Sequence, residues 1–394
     1  MLEPVGHFST RETISSCSTS KSSILLGTSS GKLLLYDVDR HSLHQMQAHS
    51  GEVCSCFILP SKSLVISASL DGSCKTHLIP FSDECQVSVW PQPFRADTSS
   101  THNVSRSIQS MTIDPVKGIV VLSLSPHSLV RTCVYTPTST LAILSIDHQS
   151  LRFLHYVPLS SCPPLSLHSI SDPLTGITKF LIGHSHYTSA NCFISLDSDV
   201  LISNKSVLPS ASSTIHSKHH LPPCLANAGS VPVTSGYSPE GGFIRFSSTS
   251  SSITHSLPFG PLSSCPMKLP SSEGVLVCGQ QLRPSTACRA NGGKSRSTMI
   301  QNILAFDMRN GAVSITFDCL FPNLQAVRVT SSDQLVIVVA KQPGSRRNFI
   351  FYYSFNFKCP VLVSIPRPYD LINLSTCNQF SLQSLEKKVK ILNY

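Results

Sequence analysis

Three groups of residues have types and spacings that chemistry could use: a glycine-rich basic segment, a histidine pair and a large set of cysteines. Asn291-Gly292-Gly293-Lys294-Ser295 has the composition of a phosphate-binding loop and follows a strand-like run from Val275 to Gly279. A loop that wraps phosphate in successive N–H groups needs a glycine five positions before Gly293, and Cys288 stands there. No helical pattern follows Ser295 to add a positive helix end, so the segment reads as a basic surface loop. His184 and His186 alternate onto one face of a strand, with His168 upstream. Neither Asp172 nor Asp197 stands at a spacing that selects it as a third ligand, so the pair reads as a strand end at a turn. The run from His216 to His220 reads as a polar loop.

The 15 cysteines contain no C-x-x-C pair. Cys54 and Cys56 are spaced as neighbours on one strand face, and the second ligand pair of a structural zinc site is missing. The count is odd and Met1 to Phe8 lacks a secretory signal pattern. The cysteines are therefore expected to be buried free thiols in a reducing compartment. No Gly-x-Ser-x-Gly elbow singles out a nucleophile, and the 21 Asp and Glu are too dispersed to mark an acid–base pair. The expectation is a non-enzyme without metal, cofactor or small-molecule substrate.

The elements that carry these residues read as strands. Apolar runs of four to seven residues recur, separated by Ser, Gly, Pro, Asn or Asp: Ser23 to Thr28, Lys32 to Tyr36, Leu64 to Ser69, Gly118 to Leu124, Gly274 to Gly279, Asn302 to Asp307 and Gln334 to Ala340. No long stretch with a helical period lies between them to make parallel crossovers. Ser381 to Val389 reads equally as a short helix or as a turn into a strand. The strands group in fours at the roughly 40–50-residue period of propeller blades. The clearest unit runs from Ala48 to Trp90: strand Val53 to Leu59, a turn at Pro60, strand Leu64 to Ser69, a tight turn at Asp71-Gly72, strand Cys74 to Ile79, and strand Gln86 to Trp90. Ile14 to Gln47 has the same order.

At this point the residues resemble the WD40-repeat family. In that family a His near the start of the blade is followed by a Ser or Thr in the second strand, an Asp in the next turn and a Trp ending the third strand. His49, Ser67, Asp71 and Gly72 fall on those positions. His77 stands where the family has Trp, Leu78 replaces the closing Asp, and Ala48 replaces Gly. In the preceding unit Tyr36-Asp37 stands in for Trp-Asp, and Ser30 occupies the turn-acid place. The resemblance implies a buried network in which Asp71 fixes the tautomer of His49 and Ser67 bridges to the ring at His77. It also implies an all-β fold: one propeller spanning 1–394, with about seven four-stranded blades. The expected blades are 14–47, 48–91, 105–160, 165–207, 222–259, 265–319 and 324–366, with 280–298 looping out of the sixth. Closing strands are expected at 1–10 and 371–394, the N-terminal one filling the place beside the tail, and the count rises to eight if the tail is a separate blade.

The formal charge of +9, from 30 Lys+Arg against 21 Asp+Glu, permits attraction to acidic partners. The densest basic groups, such as Lys387-Lys388 with Lys390, fall short of a nucleic-acid tail. No stretch reaches the ~18 consecutive apolar residues of a membrane helix, and no membrane partner is expected. A propeller presents its loops as a rigid binding platform. The candidate partner-binding residues are Glu52, Arg95, Arg106, Arg283, Arg289, Lys294, Arg296, Arg346 and Arg347. The function expected is a scaffold for other proteins of a complex, with acidic surfaces, inside the cell in cytoplasm or nucleus. The alternative is an RNA–protein assembly factor of ribosome biogenesis, whose basic loops contact RNA. It is prompted by Ser107 to Pro115 and Gly27 to Tyr36, which are similar to segments of the WD-repeat subunit of the pre-60S ribosome maturation complex. A phosphoinositide-binding propeller would carry Phe-Arg-Arg-Gly, and only Ser345-Arg346-Arg347-Asn348 is present.

Overall fold

The computed structural model describes residues 2–81, 85–91, 107–124, 139–159, 166–171, 175–183, 193–202, 224–238, 241–248, 251–269, 272–281, 302–314, 324–332, 334–342, 344–345, 347–355 and 363–364. Seven sheets hold the described strands, and every pairing is antiparallel between neighbours. After β1 (Leu2–Thr10), sheet one contains β2 (Ile14–Thr19), β3 (Ser23–Thr28), β4 (Lys32–Asp37) and β5 (Ser42–Gln47). Sheet two contains β6 (Val53–Leu59), β7 (Leu64–Ser69), β8 (Cys74–Leu78) and β9 (Gln86–Trp90). Sheet three contains β10 (Ile108–Asp114), β11 (Ile119–Leu124), β12 (Ser139–Asp147) and β13 (Ser150–Leu159).

Sheet four has three described strands, β14 (Ser166–Ser171), β15 (Thr178–Gly183) and β16 (Phe193–Asp197), followed by the short helix α1 (Ser198–Ile202). Sheet five contains β17 (Cys224–Ala228), β18 (Val231–Ser238), β19 (Gly241–Ser247) and β20 (Ser252–Leu257). Sheet six contains β21 (Phe259–Lys268), β22 (Glu273–Gln281), β23 (Ile303–Asp307) and β24 (Gly311–Ser314). Sheet seven contains β25 (Gln325–Ser331), β26 (Leu335–Lys341) and β27 (Asn348–Phe355), and β28 (Val363–Ser364) adds a fifth strand to sheet six.

The core is divided among the junctions between sheets. Ile24, Leu26 and Leu34 of sheet one pack with Ile337, Val339 and Ile350 of sheet seven. Leu25, Leu33 and Leu35 pack on the other side against Val53, Cys56 and Val65 of sheet two. Comparable clusters join sheets two and three, three and four, four and five, five and six, and six and seven. The second strands lie between two such clusters, so both their faces are apolar: β7 and β11 are buried throughout. Each fully buried Leu or Ile contributes roughly 1.5–3 kcal/mol. Outer strands such as β5 are largely exposed and lose the apolar pattern.

The first strands are tied to one another by a repeated device. The register shifts once near the start of β2, β6, β10, β21 and β25, and the residues that follow are Ser16, Ser55, Ser110, Ser263 and Arg328. Such a bulge re-aims a side chain off the ladder. Ser16 Oγ donates to Val53 O at 3.1 Å, Met111 N donates to Ser55 Oγ at 3.1 Å, and Leu167 N donates to Ser110 Oγ at 3.2 Å. Val329 N donates to Ser263 Oγ at 3.2 Å, and Arg328 Nε donates to Ile14 O at 3.4 Å. Second bonds fix the sense of neighbouring strands. Ile58 N reaches Ser18 Oγ, Ser169 Oγ reaches Ile113 O, and Ser331 Oγ reaches Pro266 O. In each case both partners advance together, so the first strands run side by side in one direction.

The N-terminal strand joins the seventh sheet, pairing with β27 from Leu2 opposite Phe355 to Thr10 opposite Asn348 along the open edge of the sheet of β25–β27. Residues 371–394, and the segment Ser381 to Val389 within them, lie outside the described residues. Three expectations need correction. β28 was expected within the seventh unit and instead pairs with β24 of the sixth sheet, Val313 opposite Ser364. β21 begins at Phe259, ahead of the expected boundary at 265, because Phe259 is itself buried in the junction with sheet five. In sheet six Cys278 pairs with Ile303 and Gly279 N donates to Asn302 O at 2.9 Å, while Gln280 and Gln281, expected in the loop, extend β22 opposite Gly260 and Phe259; the rest of 280–298 lies outside the described residues.

Candidate functional site

The Ala48–Glu52 connection is bound to the turn after β7 by a network centred on His49. His49 Nε2 lies 2.8 Å from Ser67 Oγ, and Nδ1 lies 2.8 Å from Ser73 Oγ. Ser73 Oγ donates to Asp71 Oδ1 at 2.6 Å, while Ser50 N donates to Asp71 Oδ2 at 2.9 Å. With the Ser73 proton on Asp71, Ser73 Oγ accepts from His49 Nδ1–H, and Nε2 is left to accept from Ser67. Asp71 therefore sets the tautomer through Ser73, its own Oδ2 being 3.5 Å from Nδ1. Ser73 was missed from sequence. Its only signal is its place directly after the Asp71-Gly72 turn.

His77 is not part of the network. Its ring is fully buried, neither nitrogen has a hydrogen-bond partner, and it sits edge-on to Phe81 at 6.4 Å. The expected bridge from Ser67 fails because Ser67 turns to His49 and His77 is paired opposite Val65. Burial brings His49 down to about 4, against the upward pull of Asp71, and Lys75 pushes it the same way as burial. His77 is likewise brought down to about 4 by burial and then by the charges of His49 and Lys75. Burial pulls the Asp71 carboxyl up, but hydrogen bonds from Ser73 and Ser50 and the nearness of His49 outweigh it and hold it well below the usual range.

The order Ser67–His49–Asp71 superficially matches an acyl-transfer triad. Ser67 is 0% exposed and His49 3%, so no substrate reaches the hydroxyl. The network is a tie between a connection and two strands.

Of the predicted partner-binding residues, Glu52 is half-buried, with its carbonyl accepting from Leu70 N at 2.9 Å. Arg347 is exposed, and its N–H donates to Ser345 Oγ at 3.0 Å. Arg95, Arg106, Arg283, Arg289, Lys294, Arg296 and Arg346 lie outside the described residues. The strands that bracket them are described. Because consecutive strands alternate and the first strands share one direction, connections from second to third strand and from fourth strand to the next sheet begin and end at one rim. Arg95 and Arg106 fall between β9 and β10, Arg283 to Arg296 between β22 and β23, and Arg346-Arg347 between β26 and β27. All are connections of that class, as is the one bearing His49 and Glu52. Connections of the other class are mixed in charge, with Lys21, Arg40, Lys62, Lys117 and Arg309 against Asp39, Asp83, Glu84, Asp172 and Asp333. The His184–His186 pair lies outside the described residues. His168 Nε2 is engaged with Asn227 Oδ1 at 2.9 Å. Among the described residues the cysteines are unbridged and no group of three metal-ligating side chains gathers. A small hollow of about 190 Å³ is lined by Ser272, Glu273, Asp307 and Arg309.

This arrangement of radially packed antiparallel sheets is a β-propeller. A solved structure described as the Dos1 propeller superposes with a TM-score of 0.56, covering 93% of this chain and 98% of that one at 12% identity. No family model matches the sequence, and no curated protein matches it either. With 1276 solved chains matching, the likeness specifies architecture, and function has to be argued from the surface.

Proposed function

We propose that the chain is a seven-bladed propeller of the WD40 type, closed where β1 completes the sheet of β25–β27. Its work is non-catalytic: it is a scaffold that holds proteins together within a complex, in the cytoplasm or nucleus. The partner is a protein with an acidic surface, met by the basic connections of one rim. The observation that supports this reading is the convergence of Arg95, Arg106, Arg283, Arg289, Lys294, Arg296, Arg346 and Arg347 on connections that begin and end at a single rim, while the opposite rim is mixed. The same connections carry fewer acids, among them Glu52, Asp71, Asp97 and Glu240, and a net basic excess raises the encounter rate with oppositely charged partners.

The test is purification of the chain from its native cell and identification of what accompanies it, followed by binding of the main partner to wild type and to the Arg346→Glu, Arg347→Glu double variant. The expected result is a protein partner that binds more weakly to the variant, by about tenfold or more. A nuclease-sensitive complex, with affinity falling steeply with salt, would replace this reading with the RNA-assembly alternative.

A further inference from the structure

A buried polar group without a partner calls for a physical reason, and coordination of an ion is one such reason. His77 is fully buried, and neither ring nitrogen has a hydrogen-bond partner among the described residues. Its direction follows from its neighbours. Val65 lies opposite it on β7, Ile79 stands two residues further on, and Phe81 meets its ring edge-on. All three belong to the apolar cluster between sheets one and two, so the imidazole points into that junction.

Two sulfur atoms meet in the same junction. Met46 of β5 packs against the cluster, and the Cys85 thiol donates to Met46 Sδ at 3.7 Å. Cys85 is buried and held against β8, its carbonyl accepting from Leu78 N at 2.7 Å. The next residue, Gln86, is paired with His77. Thiol and imidazole therefore come from neighbouring rungs of one strand pair and face the same sheet. Sulfurs 3.7 Å apart fit round a single ion, since metal–sulfur bonds of roughly 2.3 Å would subtend an angle of about 110°. The next coordination position falls to an imidazole nitrogen.

Thiolate, thioether and imidazole together suit a soft ion such as Cu(I) rather than magnesium or calcium. Charge points the same way. When Cys85 loses its proton to solvent and Cu(I) binds, one negative sulfur meets one positive metal beside two neutral ligands. The dry site then carries no net charge, whereas a divalent ion would leave one positive charge buried. Only two of the three ligands are of the His, Cys, Asp or Glu kind, so the set differs from a structural zinc site. Met46 is half-buried on a largely exposed strand, which gives the ion an entry from the outer edge.

We propose that Met46, His77 and Cys85 form a binding site for one Cu(I) ion at the junction of sheets one and two. The site uses no residue of the basic rim and is independent of the scaffold reading. The test is titration of the reduced full chain with Cu(I), without oxygen, in competition with bicinchoninate, whose coloured Cu(I) complex fades as the protein takes the metal. Wild type withdraws one equivalent ahead of any other thiol. His77→Phe and the volume-conserving Met46→Leu weaken that equivalent by at least about tenfold. Cys54→Ser leaves it unchanged, because that half-buried thiol donates to Ala68 O away from the set. Trp90 fluorescence reports that each variant is folded. X-ray absorption of the wild-type complex shows two sulfur neighbours and one nitrogen. Failure of wild type to take one equivalent from the chelator, undiminished uptake by folded His77→Phe and Met46→Leu, equal loss in Cys54→Ser, or an all-sulfur shell overturns the proposal.

Discussion

Replacing His77 by phenylalanine is expected to stabilise the protein, and to do so more strongly in acid. At neutral pH the imidazole carries one N–H and one lone pair that find no partner inside sheet two. A buried unsatisfied polar group costs roughly 1–3 kcal/mol, and the slightly larger phenyl ring gives part of that back as strain, for a net gain of about 1 kcal/mol. The pH dependence follows from linkage. The ring titrates near 6.5 when unfolded and at about 4 when folded, so the unfolded chain binds the extra proton. Its contribution is fully present above the unfolded value and is lost as pH falls from 6.5 toward 4. Between pH 7 and pH 5 the loss for this one ring is about 2 kcal/mol. His49, His168 and His255 are lowered in the same direction, but they are common to both proteins, so the difference between wild type and His77→Phe isolates position 77. Urea unfolding followed by tryptophan fluorescence suits the purpose. Trp90 is the only tryptophan, it is 9% exposed, and it pairs with Cys74 on the strand that carries His77. Parallel stability curves for the two proteins from pH 7 to pH 5 would refute the reasoning, as would a variant less stable than wild type throughout.

Ser67→Ala leaves His49 Nε2 without its partner, and is expected to cost about 1–3 kcal/mol in denaturant unfolding with no change in far-ultraviolet circular dichroism. Gly27→Ala puts a methyl group against Ser16 Oγ and the Val53 side chain at the junction of sheets one and two, and a loss of roughly 1–3 kcal/mol in the same assay is expected. Removing residues 2–10 exposes β27 along its whole edge and strips Phe8 from its stack on Tyr36 at 4.3 Å. Concentration-dependent association in size-exclusion chromatography is the expected result, and a monodisperse monomer of unchanged melting temperature would contradict it.

The parts of the fold legible in the sequence are those whose burial is unambiguous. β3, β7, β11 and β26 are apolar on both faces because each lies between two junction clusters, and their continuous runs stand out against any neighbour. α1 was not foreseen. Five residues make too short a pattern, and Leu201 is buried by the junction with sheet three rather than by a helical face. The polar chemistry was harder to read. His49, Ser67 and Asp71 stood out by their spacing, but the chain is rich in serine, so nothing marked Ser73 as the link between two of them. The same holds for Ser16, Ser55, Ser110 and Ser263, whose role depends on a one-residue shift in register that composition does not reveal. His77 stands where the WD40 resemblance led to the expectation of a hydrogen-bonded ring, and only its packing shows a buried ring without the hydrogen bond.

The pairing of β1 with β27 has a consequence for how the molecule is made. The two strands meet along residues separated by nearly the whole described chain, Thr10 opposite Asn348. At translation rates of about 5–20 residues per second, β1 leaves the ribosome on the order of half a minute before its partner exists. For that interval it is an unpaired edge carrying Phe8, free to join another nascent chain. Its short apolar content, broken by Glu3, Pro4, Gly6 and His7, suits a strand that has to wait without sticking.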